Sequence, residues 1–210
     1  IASALTANVT GSVTLENTLN NVTSVSLMTT GTGNTISYVD SNDFTVNTTN
    51  GVTGVSTKTS AGINLTAMTG KVTVSSAISA NSGDIAITAD QMDIATTVSA
   101  SGHRVTLKSS TAGYAVDLCS TTDTATNTLE LSDTELNQIT ANYLEIGSTT
   151  QGKIDISSDV TPSMITALHL ISSGKVNARE GLGGGVVVAK LAVEAGGDVT
   201  FSDVTTDVDE

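Results

Sequence analysis

Asp84, Asp90, Asp93, Arg104 and Lys108 form the densest mixed-charge stretch of this chain. Carboxylates gathered beside a basic side chain are what polysaccharide lyases and hydrolases need, to hold a metal ion or to move protons. The stretch also carries an echo: ISANSGDIAI, from residue 78, is followed by VSASGHRVTL, from residue 98. Ile78 answers to Val98, Ile85 to Val105 and Ile87 to Leu107, an offset of about twenty residues that falls within the range of solenoid repeats. Asp84 and Arg104 share that offset and are expected to stack as neighbours. One reading is part of a catalytic or cation site. The other is a solvated ion pair between adjacent coils, worth about 0–1 kcal/mol. The second is favoured, because the neighbouring sequence supplies no aromatic platform for a sugar.

The other reactive residues are dispersed. His103 and His169 lie on different coils, and a metal site needs several ligands at set spacing, so both read as surface histidines. No GxSxG, HExxH or Walker-type loop occurs. GLGGG at 181–185 reads as a turn between coils, and the acidic end DVTTDVDE at 203–210 as a solvated end or the entry to another coil. No cofactor or metal site is expected. Asn8, Asn21, Asn47 and Asn64 each begin an N-x-T sequon, so glycosylation is open at each. Cys119 is the one cysteine. It reads as a small filler or, alternatively, as half of an intermolecular disulfide. Thr-x-Thr rows, the mark of ice-binding solenoid faces, occur at Thr57–Thr59 and Thr122–Thr126 without recurring at the coil period, which ranks ice binding low.

Composition narrows the classes. Ser and Thr make up roughly 30 % of the chain, far above ordinary usage. Aromatics are scarce and Trp is absent. Val, Ile, Leu and Ala keep the apolar content ordinary, which excludes a solvated coil and suits short strands. The net charge of −13 argues against nucleic-acid partners and against docking on anionic membranes. No apolar run is long enough to span a membrane. The chain begins at Ile1 without a leader, so it reads as a processed protein or a piece of a longer one, and the Thr/Ser-rich, Lys-poor composition points outside the cell.

The elements that must position these residues are short strands. SVTL at 12–15, TISYV at 35–39, KVTV at 71–74, DIAI at 84–87, RVTL at 104–107, KIDI at 153–156, VVVA at 186–189 and LAVEA at 191–195 alternate with period two, and Gly, Asn, Asp and Ser separate them. Further columns are expected at Val52, Val72 and Met92, at Val74 and Ile94, and at Ile156 and Val176. Strands repeating in register along one axis predict an all-β parallel β-helix, with coils of about twenty residues that bury a core only against one another. An antiparallel sandwich is the rival, but it would not predict columns. Residues 131–148 break the rhythm. Ser132 and Glu135 have capping-box spacing, so a single helical turn or widened corner is expected there, then a strand at Tyr143–Ile146.

Several blocks resemble a known family. GDIAI, GKVTV and GGDVTF have the Gly–polar–apolar–x–apolar form of strand entries in filamentous-haemagglutinin-like proteins, large bacterial exoproteins secreted by the two-partner route. SDTELNQITANYLEIG at 132–147, LHLISSGKV at 168–176 and AVEAGGDVTF at 192–201 resemble a recurrent block of their repeats. The likeness is carried by residues 131–201; over 1–70 only strand rhythm supports it. Neither an NPNGI-type secretion motif nor a contact-dependent toxin domain is seen. The resemblance implies a right-handed parallel β-helix with adhesive and scaffolding roles. The expectation is therefore one β-solenoid over 1–210, extracellular and non-catalytic. It would be a shaft segment of an adhesin or a fibre subunit, with its ends stacked on other coils and its side surface turned to cell-surface glycans. A β-helix polysaccharide lyase or hydrolase, or a glycan-binding module, is the alternative.

Overall fold

The computed structural model describes residues 3–120, 124–178 and 185–201; Thr122, most of the glycine-rich turn and the acidic end lie outside them. The chain is nearly all β and winds through about eight parallel coils. The alternation in sequence explains why. In Lys71–Val74, Ile85–Thr88 and the second half of Val98–Lys108, every second residue is Val, Ile or Leu with no exposed surface. The residues between, such as Thr73, Ala86 and Thr106, face outward and are half-exposed.

Each coil turns through three faces, and each face is a ladder of parallel strands. The first face stacks Val13–Leu15, Ile36–Asp40, Ile63–Ala67, Ile85–Thr88, the second halves of Val98–Lys108 and Ile139–Gly147, then Ile165–Ser172 and Leu191–Ala195. The second carries Phe44–Val46, Lys71–Val74 and Gln91–Ile94 and, past an interruption, Ala115–Leu118, Ile154–Ile156, Val176–Ala178 and Val199–Phe201. The third carries Leu5–Val9, Ser24–Thr29, Val55–Thr57, Ile78–Ala80 and the first parts of Val98–Lys108 and Ile139–Gly147. Among the described residues no helix is long and apolar enough to cross a membrane.

The echo is a true register. Ile78 pairs with Val98, Ile85 with Val105, Ile87 with Leu107, Val72 with Met92 and Val74 with Ile94. Two expected columns are corrected. Phe44, not Val52, lies beside Val72, because Val52 turns back in a two-residue hairpin against Thr49. Val176 lies beside Ile154, and Ile156 beside Ala178, since that coil is two residues longer than the echo supposes. VVVA at 186–189 forms only an isolated bridge, Val160 to Val186, in place of a strand.

The interruption lies between Val105 and Leu144, partners on adjacent strands of the first face although 39 residues separate them. Within it, Thr128–Leu131 returns to pair in parallel with Ala115–Leu118 and packs beside Gln91–Ile94, so one coil holds two strands on the second face. The helical turn follows at Asp133–Leu136 with the expected capping box: the Ser132 N–H donates to Glu135 Oε2 at 2.8 Å and the Glu135 N–H to Ser132 Oγ at 3.3 Å. Glu135 Oε1 also accepts from the Ile94 backbone at 3.0 Å, replacing a ladder bond where the strand next door is displaced. The following strand begins at Ile139, earlier than Tyr143.

With few aromatics, the core is Val, Ile, Leu and Ala plus one edge-to-face pair, Tyr38 with Phe44, 5.2 Å between centroids. Threonine and serine enter it by satisfying corner carbonyls. Thr29 and Thr57 occupy successive coils and donate to Asn34 O and Ala61 O, at 3.0 and 2.9 Å. Asp40 is wholly buried and accepts from the Tyr38 hydroxyl, the Val22 N–H at 3.0 Å and the Asn42 N–H at 3.1 Å. Burial, then the hydrogen bond to Asp40 and its charge, push the Tyr38 phenol well above its ordinary range.

Two predictions follow from these contacts. Gly147 has a φ of +91°, and a Cβ there would sit 2.1 Å from the carbonyl oxygen of Ile171 on the next coil. Gly147→Ala is expected to cost about 1–3 kcal/mol in urea unfolding. Gly11→Ala, at a position with open space, should cost nothing. For Tyr38, the folded state holds the phenol proton more tightly than the unfolded chain does. Its contribution to stability is therefore complete below the unfolded pKa of about 10 and is lost as pH rises above it, by up to about 1.4 kcal/mol per pH unit. Urea midpoints measured across alkaline pH should show that loss, and Tyr38→Phe should flatten it.

Candidate functional site

Strand alternation puts residues 104, 106, 143, 145 and 169 on the outside of the first face, because Val105, Leu107, Leu144, Ile146, Leu168 and Leu170 point inward. Register then sets them side by side. Arg104 lies beside Tyr143, which lies beside Ala167; Thr106 lies beside Glu145, which lies beside His169. Arg104, Tyr143, Glu145 and His169 line, with Asp84, Gly102 and His103, a shallow cavity of about 360 Å³. Gly102 and Ala167 are small, and Tyr143 is left 52 % exposed.

The charged groups form a continuous chain across five coils. Asp84 Oδ1 accepts from the Arg104 backbone N–H at 3.0 Å, and Asp84 Oδ2 lies 3.5 Å from the guanidinium. His103 Nδ1 lies 3.8 Å from the same carboxylate. Arg104 Nη1 reaches Glu145 Oε2 at 3.4 Å, and Thr106 Oγ1 donates to Glu145 Oε1 at 3.2 Å. His169 then stands between Glu145, 3.7 Å away, and Glu194, at 3.2 Å. Glu145 is the best-fixed member, with its side chain 18 % exposed and three neighbours around it.

The residues singled out in the sequence divide. Asp84 and Arg104 stack as their spacing implies. The other three sit elsewhere. Asp90 closes a corner by accepting from the Thr111 N–H and hydroxyl, both at 2.7 Å. Asp93 is on the second face, 3.8 Å from Lys71. Lys108 is at the far end of its strand, opposite Thr88. Two placements come from the register alone. His103 and His169 are on different coils but meet in one cavity, because the coil between them contributes Tyr143 and Glu145. The neighbouring sequence holds no aromatic residue, and the exposed ring beside Arg104 is that of Tyr143, brought in from beyond the interrupted coil. The period-two pattern of NYLEIG could have put Tyr143 and Glu145 on an outer face; only the register could have put them beside Arg104.

A larger cavity of about 630 Å³ opens at the interruption and is rich in carboxylates, including Asp93, Glu130, Asp133, Glu135 and Asp159. Several of these already hold corners: Asp133 accepts from the Thr161 N–H at 2.7 Å and Glu130 from the Ala125 N–H at 2.8 Å. Cys119 borders this cavity and is buried, with φ +62°. Burial, then the charges of Asp133, Asp117 and Asp159, push its thiol up to about 12, so it stays protonated and packs as a filler. Among the described residues no group of three or more His, Cys, Asp and Glu side chains could hold a metal ion. Of the sequons, Asn8, Asn47 and Asn64 are exposed and Asn21 is half-buried. Thr57 is buried, so its Thr-x-Thr row is not a surface row.

The ion ladder is solvent-accessible, and exposed pairs contribute little. Arg104→Ala is accordingly expected to shift stability by less than about 1 kcal/mol in chemical unfolding; a larger loss would show that the ladder holds the coils together. Comparison of the chain with protein-family models, with curated proteins and with solved structures finds no match.

Proposed function

We propose that this chain is a structural and adhesive segment of an extracellular β-solenoid of the bacterial cell surface, of the kind that forms the shaft of filamentous-haemagglutinin-like exoproteins, and that it performs no catalysis. The state of its end coils carries the reading. Inside the molecule, core positions have no exposed surface. At the outer coils the corresponding side chains are half-exposed: Leu5, Leu15 and Val22 at one end, Leu191, Val193 and Phe201 at the other. Among the described residues, the outer strands Leu5–Val9, Val13–Leu15, Leu191–Ala195 and Val199–Phe201 each pair with one neighbour only. A further coil laid on either end would bury the apolar side chains and pair the open backbone edge. Such coils belong to the rest of a longer polypeptide or to identical subunits. The side faces, polar with Thr, Asn and Asp, remain free for cell-surface glycans, and the acidic net charge keeps nucleic acid away.

Electron microscopy of the protein as isolated from its source, with hydrogen exchange on the same sample, tests this. Filaments or rods longer than eight coils are expected, with the amides of Leu5–Val9 and Leu191–Ala195 protected. Filaments repeating at one chain length assign the neighbouring coils to identical subunits; rods within a larger molecule assign them to the same polypeptide. Discrete single-chain particles with fast-exchanging ends would overturn the reading, as would cleavage of any member of a broad polysaccharide panel.

A further inference from the structure

We infer that the cavity around Tyr143 is a saccharide-binding site that takes a neutral sugar, of mono- or disaccharide size, and discriminates against acidic glycans. The inference deepens the adhesive half of the proposed function and is independent of whether the ends stack.

Three features point to this ligand class. Tyr143 is the largest exposed aromatic surface among the described residues, half open in a cavity that Gly102 and Ala167 keep uncovered. Tyrosine at such a place presents an apolar face with a polar tip, which matches a pyranose ring, apolar across its C–H face and hydroxylated at its edge. Around it stand hydrogen-bonding groups of both kinds. Glu145 and Asp84 accept from sugar hydroxyls, while Arg104 and the imidazoles donate or complete the set. These groups are held before any ligand arrives: Arg104 by Asp84 and Glu145, and Glu145 by Thr106, Arg104 and His169. Side chains fixed by one another lose little freedom on binding. The cavity, at about 360 Å³, lies at the small end of ligand pockets, which run from about 300 to 1,000 Å³.

The charge balance supplies the specificity. Asp84 and Glu145 flank the one guanidinium, and Glu194 lies beyond them against His169, on a chain of net charge −13. A uronic acid, sialic acid or sulfated sugar would bring a further anion between the Asp84 and Glu145 carboxylates, which are a repulsive element against the wrong ligand.

Saturation-transfer NMR and calorimetry on the intact chain test this, with maltose, cellobiose, lactose and chitobiose as neutral probes and sialyllactose and a heparin disaccharide as acidic ones. At least one neutral probe is expected to bind at neutral pH, and Tyr143→Ala to weaken it about tenfold with the unfolding midpoint unchanged. Tyr143→Phe should retain most of the affinity, because the ring face is kept. Binding that survives Tyr143→Ala, stronger binding of either acidic probe, or no transfer from any neutral probe to the wild-type chain would overturn the assignment. Since each readout uses the single chain, its failure leaves end stacking untouched, and failure to form rods leaves the sugar site untouched.

Discussion

Everything in this molecule depends on in-register stacking of parallel coils. A coil of some twenty residues cannot bury Val, Ile and Leu within itself; it buries them against the coil above and the coil below. Parallel pairing makes that possible, because residue follows residue at one level and like side chains form columns. Ile36, Ile63, Ile85, Val105 and Leu144 are one such column, fully buried throughout. The same constraint explains the composition. A thin triangular core has room for branched aliphatic side chains and few rings. A row of hydroxyls turned in at the corners costs little if each finds a carbonyl, as Thr29 and Thr57 do.

Corners are where stacking is weakest, and polar side chains fix them by reaching between coils. Asp40, Asp90 and Gln151 accept from backbone N–H groups that no strand partner can reach. Glu135 does two tasks at once, closing the helical turn on Ser132 and receiving the Ile94 N–H of the preceding coil. This explains how the chain tolerates an inserted strand and a helical turn inside one coil: the ladder resumes at Ile139 beside Val98 and, past a register shift after Ala100, at Tyr143 beside Arg104. It also shows why much of the acidic content is structural. A carboxylate at a corner accepts two N–H or O–H donors at once, as Asp90 does from Thr111.

What could be read in advance divides along the same lines. Local alternation exposed most strands, and the echo exposed the twenty-residue columns, because both depend on residues close in sequence. Ser132 and Glu135 announced the helical turn for the same reason. The misplaced columns at Val52 and Ile156 have the opposite origin: coil length is set by the turns, and a hairpin at Val52 or two extra residues before Val176 moves the register without changing the strand pattern. The candidate site failed at its largest discontinuity. Asp84 and Arg104 were found by their spacing, whereas Tyr143 and Glu145 lie beyond the interrupted coil. A constant period could not bring them to Arg104.

That discontinuity also bears on function. A regular solenoid face repeats small outward residues and offers a ligand nothing distinctive, as the Ala86, Ser37 and Asn64 positions of the earlier coils show. The first face changes character only at the coils that flank the interruption, where Arg104, Tyr143, Glu145 and His169 replace the small residues at matching levels. A scaffold needs no arginine, tyrosine and histidine at successive rungs, since backbone pairing and buried columns already hold the coils, and exposed ion pairs add little. Their concentration at one place on one face is the observation on which the proposed sugar site rests. The rigid ladder beneath keeps their spacing fixed to the interval between strands.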